Sequence, residues 1–272
     1  PSITNVLINE TNVYNDKNIK VNTTVTDNVQ LQIVYIAENS TGSWVNQTAS
    51  GSGNGQYHFN ISSSNLQNQE NVSYYVVAND TANNLIQSTV QSFFVQNRVP
   101  DNTTLTSPSN ASSTTDRTPT FSWNTIQDPD NKTDNTDVVT YLLQVDKQGN
   151  SDTQNPTAPD FSEPDINTST VDSTFTITPE LDVDTVNYWR VRVNDSYNNQ
   201  SNFSSVFQLN LSSEIAITMQ TNSVTFGTLN PGDEDTTLDI SPAPFNFSND
   251  GNAFVNVSVN STTDLWTTQT GS

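Results

Sequence analysis

Tyr188-Trp189-Arg190-Val191-Arg192-Val193 sets bulky apolar residues at every second position. Successive side chains of a strand face opposite ways, so Trp189, Val191 and Val193 share one face and the two arginines the other. Asn71-Val72-Ser73-Tyr74-Tyr75-Val76-Val77-Ala78-Asn79 reads the same way, with Tyr74, Val76 and Ala78 opposed to Tyr75 and Val77. Outward from these two, short alternating apolar runs recur between clusters of Asn, Asp, Gly, Pro and Ser. No window carries a sustained helical stripe, so the chain reads as all-β. Leu, Ile, Val and Phe make up 64 of 272 residues, close to the level of roughly 20% below which charged chains stay disordered. The alternation, and valine as the commonest of the four, favour strands over disorder.

The predicted strands of a first domain, residues 1–97, centre on 19–25, 30–37, 43–46, 56–61, 72–79 and 89–96, with Trp44, Tyr57 and Phe59 as core bulk. A hydrophilic linker over 98–118 opens a second domain, residues 98–212, whose strands follow Phe121 and Trp123 and then fall at 138–146, 174–178, 186–194 and 206–211. Residues 146–170 read as a long loop, and Trp123 and Trp189 as opposing core residues. Residues 213–272 carry about five strands at 214–219, 223–228, 237–240, 244–247 and 254–260. That is an incomplete third sandwich, expected to be completed by chain beyond Ser272 or by a strand from another subunit.

The formal charge is −21, with 29 acids against 8 bases. Nucleic acid and anionic lipid need clustered cations, so both are excluded as partners. Cysteine is absent, which removes disulfides, thiol nucleophiles and cysteine metal sites. No apolar run reaches the roughly 18 residues of a membrane span, and an opening on Pro1 points to a processed or cropped segment.

Asn-x-Ser/Thr acceptor sites occur at Asn9, Asn22, Asn39, Asn46, Asn60, Asn71, Asn79, Asn102, Asn110, Asn131, Asn167, Asn194, Asn199, Asn202, Asn210, Asn246, Asn256 and Asn260. With 39 asparagines and about a quarter of residues Ser or Thr, chance supplies about ten such sites. The acceptor and its hydroxyl partner lie two apart, so in Asn60-Ile61-Ser62 or Asn256-Val257-Ser258 a strand turns both to solvent. N-glycosylation on an extracellular route is the expectation; Asn- and Thr-rich bias of a genome is the competing one.

The second domain resembles bacterial and archaeal fibronectin type III modules in Thr118-Pro-Thr-Phe-Ser-Trp123, the Asp128-Pro129-Asp130 turn, 141–145, and 188–193 followed by Asp195. The first is similar to prokaryotic immunoglobulin-like repeats in its Thr26-Asp27-Asn28-Val29 turn and in Tyr74-Tyr75-Val76-Val77-Ala78-Asn79-Asp80-Thr81. The third is loosely similar to β-sandwich repeats of archaeal surface proteins. The resemblance implies tandem immunoglobulin-like or fibronectin type III-like β-sandwiches of a prokaryotic cell surface. It specifies fold better than function.

His58 is the only histidine, so one chain cannot assemble a His-based triad or a zinc site. The best ligand cluster is the loop of Asp128, Asp130, Asp134 and Asp137, where alternate carboxylates suit calcium or make a plain turn. Asp233-Glu234-Asp235 and Asp182 to Asp184 are weaker calcium candidates. Paired carboxylates performing glycoside hydrolysis need a desolvated acid, and the loops that hold these acids are polar. Lys17 and Lys20 lack the apolar setting of an isopeptide cross-link, and the acidity also fits a halophile. The expected function is non-catalytic: a glycosylated structural subunit of a surface layer, sheath or filament, with copies of itself or other surface proteins as partners. The alternatives are an adhesin binding carbohydrate or protein through loop tips, and spacer domains of a secreted enzyme.

Overall fold

The computed structural model describes residues 1–51, 53–131, 138–147, 161–225, 228, 230, 232–236 and 243–258. Their regular structure is strand, apart from one 3₁₀ turn at Ser63–Asn65.

The first sandwich holds β1 (Ser2–Ile8), β2 (Ile19–Thr26), β3 (Leu31–Glu38), β4 (Val45–Thr48), β5 (Gly55–Ile61), β6 (Asn71–Asp80), β7 (Leu85–Gln87) and β8 (Gln91–Phe94). One sheet runs β1-β2-β5; the other runs β4-β3-β6-β7, with β8 also paired to β6. Val21, Val25, Phe59 and Ile61 from the first sheet meet Val34, Ile36, Val72, Tyr74 and Val76 from the second. The alternation puts those residues inward because each is apolar at every second position. Trp44 is an exception to the expected core, since it stands half-exposed on the outer face. β1 went unseen in the sequence. Asn5 sits at φ 54° inside it and the register slips between Thr4 and Leu7, so its apolar residues do not keep a period of two.

The second sandwich holds β9 (Leu105–Ser107), β10 (Ser112–Thr114), β11 (Thr120–Trp123), β12 (Thr140–Lys147), β13 (Ile166–Thr170), β14 (Thr174–Thr176), β15 (Thr185–Asn194) and β16 (Phe207–Leu211). Its sheets run β10-β16-β15-β12-β13 and β14-β11-β9. Trp123 and Trp189 come from opposite sheets and are both buried, while the ring meeting Trp189 across the core is Phe121, edge-on at 4.8 Å. Arg190 and Arg192 face outward as their parity requires, their guanidinium carbons lying over Phe161 and Phe203. The stretch read as a linker supplies β9 and β10, and the stretch read as a long loop ends in β13. These short edge strands are mostly Ser, Thr and Asn, which carry no apolar alternation to detect.

By compactness, residues 1–103, 125–142 and 192–203 form one unit, and 104–124, 143–191 and 204–272 the other. The third segment shows β17 (Ile217–Met219) paired with β18 (Phe247–Asn249). Asn252 ties it down by donating to the carbonyls of Thr115 at 2.6 Å and Ser212 at 3.0 Å. Residues 223–225 and 254–258 are not strands, against expectation. Residues 237–240 lie outside the described residues.

Candidate functional site

The acceptor asparagines occupy strands and turns of both sandwiches. Asn260 lies outside the described residues; none of the other seventeen is buried. Among the described residues the buried asparagines are Asn15, Asn68 and Asn187, and each of them stands outside an acceptor triplet. Strand parity accounts for Asn22, Asn46, Asn60, Asn71, Asn79, Asn167, Asn194 and Asn210, which take outward positions in their strands. At Asn39 and Asn110 the carboxamide oxygen accepts a backbone N–H, from Ser73 at 2.7 Å and Gln208 at 2.9 Å. Asn199 and Asn202 are different, because their hydroxyl partners serve the fold. Ser201 Oγ accepts Val193 N–H at 2.9 Å and Ser204 Oγ accepts Val191 N–H at 3.1 Å, beyond Trp189 where the pairing of β15 with β16 ends.

Asn79 and Asn194 each precede the same turn. In Asp80-Thr-Ala-Asn83-Asn84, the Asp80 carboxylate accepts the N–H groups of Ala82 and Asn84 at 2.8 Å. In Asp195-Ser-Tyr-Asn198-Asn199, the Asp195 carboxylate accepts those of Tyr197 at 2.9 Å and Asn199 at 2.8 Å. Asn83 and Asn198 take φ of 65° and 68°, a left-handed conformation that asparagine tolerates better than most residues. Hydrogen bonds from the Asn84 side chain and backbone hold the Asp80 carboxyl below its ordinary range.

The proposed calcium loop is described only at its first two acids. Asp134 and Asp137 lie outside the described residues. Asp128 and Asp130 are both buried. Asp130 is bound by Arg98, whose Nε and Nη2 lie 2.7 and 2.6 Å from Oδ1 and whose backbone N–H donates to Oδ2. Arg98 also donates to Asp16 and to the Pro129 carbonyl, both at 3.1 Å, and lies over the Tyr14 ring at 4.9 Å. Asn15 donates to the Asp130 carbonyl at 2.8 Å, and Asp128 Oδ1 accepts Asp130 N–H at 2.8 Å. A guanidinium thus holds the position at Asp130 that a metal cation would take. Burial lowers the Arg98 pKa, and the Asp130 and Asp16 carboxylates more than restore it, leaving it raised.

Three acids of the weaker candidate clusters are also engaged by protein groups. Asp182 pairs with Lys147 at 2.7 Å, and the hydrogen bond lowers the acid and raises the amine. Asp184 accepts Ser213 N–H and Asp233 caps Asn230. Among the described residues no group of three or more His, Cys, Asp and Glu could hold a metal. His58 stands half-buried on β5, opposite Asn22. Lys17 and Lys20 are exposed. Among the described residues no helix is long and apolar enough to cross a membrane.

No family model and no curated protein matches the chain. Among solved structures it is similar to the fibronectin(III)-like modules of Clostridium thermocellum CbhA, with 14% identity, 78% of this chain and 94% of that one covered, and TM-score 0.28. It is similar to the FN1-FN3 domains of chicken CNTN1, with 12% identity, 79% and 70% covered, and TM-score 0.32. It is also similar to a tetra-tandem repeat in the extending region of a large adhesion protein, with 18% identity, 80% and 52% covered, and TM-score 0.37. The tandem β-sandwich stands on the strands described above.

Proposed function

We propose that the chain is an N-glycosylated, non-catalytic structural protein of a prokaryotic cell surface, a subunit of a surface layer, sheath or extracellular filament that associates with copies of itself. The observation that carries this reading is the sorting of asparagines: among the described residues the acceptor asparagines are at the surface and the buried asparagines are not acceptors, as attachment of a glycan requires. Carboxylates supply solubility, and glycans blunt exposed sheet edges. The test is glycopeptide mapping of protein from its natural source, with electron microscopy of the same material. Glycans on most surface acceptors, together with lattices or fibres, are expected. A mass equal to the bare polypeptide, or particles that remain dispersed monomers, would overturn it.

A further inference from the structure

Trp44 is half-exposed, with its ring 5.0 Å from that of Tyr75 at 49°. Strand register shows what stands beside the pair. Ala37 pairs with Asn46 on one side and with Tyr75 on the other, so Asn46, Ala37 and Tyr75 form one row across β4, β3 and β6. Directly opposed residues share a face. The next row on that face is Thr48, Tyr35, Val77 and Gln87. Val34, Ile36, Tyr74 and Val76 point into the core, so both rows face outward. Neither row contains a charged residue. Ala37 and Val77 are buried there, and the relief of the face is made by Tyr35, Trp44 and Tyr75.

We propose that the N-glycan on Asn46 folds back onto this face, its first sugars packing their C–H surface on the exposed side of Trp44. The inference rests on the glycosylated reading above. Asn46 and Thr48 are exposed, and the acceptor lies two residues from the ring on the same face. A sugar tethered that closely meets the ring at high effective concentration, so even a weak stacking preference is satisfied. A pyranose suits the surface because it is uncharged, apolar on its C–H face and polar at its rim, as this aromatic face with Asn46, Thr48 and Gln87 around it is. The stacked sugar covers an aromatic patch that would otherwise stay wet.

The test uses the full chain made in an N-glycosylating host. Glycopeptide mapping reads occupancy at Asn46, and acrylamide quenching reads exposure of Trp44, isolated by subtracting a Trp44→Phe variant. Quenching of Trp44 is expected to rise about twofold in Asn46→Gln and equally in Thr48→Ala, because a sugar stacked on one face covers about half of the surface that the 50% exposed side chain shows to solvent. An occupied Asn46 with quenching unchanged in both variants overturns this inference and leaves glycosylation standing. An empty Asn46 beside other filled acceptors does the same. A chain with every acceptor empty overturns both.

Discussion

Replacing Arg98 with methionine tests whether the Asp130 cluster holds its unit together. Asp130 has no exposed side-chain surface, and Arg98 supplies two short contacts to it besides the backbone N–H. Methionine keeps the apolar stem over Tyr14 and removes the cation. Breaking a buried ion pair from one side costs about 3–5 kcal/mol, because the remaining charge is stranded. The Arg98 N–H still solvates Oδ2 and Arg98 is itself 29% exposed, so about 3 kcal/mol is expected here. For a unit of this size that is a fall of about 10 °C in Tm. The assay is urea and thermal unfolding of the full chain, following the transition of the unit containing Tyr14 and Arg98. Arg98→Met with Asp130→Leu should recover most of the loss, since replacing both partners removes the stranded charge. A single variant within about 0.5 kcal/mol of the parent, or a double variant that recovers nothing, would mean that the Arg98–Asp130 pair does not hold the unit together.

Trp189→Ala should cost about 3–5 kcal/mol in unfolding of the second sandwich, since the side chain is fully buried against Phe121 and Phe207. Trp44→Ala in unglycosylated protein should cost under about 1 kcal/mol. Because Asp80 is depressed below its ordinary 3.8, its contribution is complete above that pH and lost as pH falls through the lower folded value. Asp80→Asn should therefore flatten the dependence of Tm on pH below about 4, measured by calorimetry. Millimolar calcium should leave Tm unchanged, and a rise abolished by Asp130→Asn would count against the role given to Arg98. Site-resolved glycopeptide mapping should find lower occupancy at Asn199 and Asn202 than at Asn60, because folding withdraws Ser201 and Ser204 into backbone hydrogen bonds.

Strands buried on one face were legible because burial writes a period of two, and β2, β5, β6 and β15 all carry it. β1 carries it only as far as Asn5. β9, β10 and β13 are edges whose partners supply the hydrogen bonds and whose own side chains bury little. Trp44 shows the limit of assigning aromatics to a core by type: parity with Asn46 places it outside, and parity needs the register of β4 on β3. The acceptor triplets were legible in full, and their exposure followed wherever a strand carried them. The Arg98 cluster was not legible. Arg98 and Asp130 are separated by 32 residues, and a local reading of Asp128-Pro129-Asp130 gives no hint of a distant cation.

The paired turns at Asp80–Asn84 and Asp195–Asn199 also bear on how a chain of like repeats avoids confusing them. Each turn is closed by a carboxylate and backbone groups within five residues, so it can form without waiting for distant sequence. The strands on either side are thereby offered to each other before a neighbouring repeat can compete for them. Strand exchange between adjacent similar domains is a characteristic misfolding route of such chains. A turn that commits β6 to β7, and β15 to its following segment, is a local guard against it, written once in each sandwich.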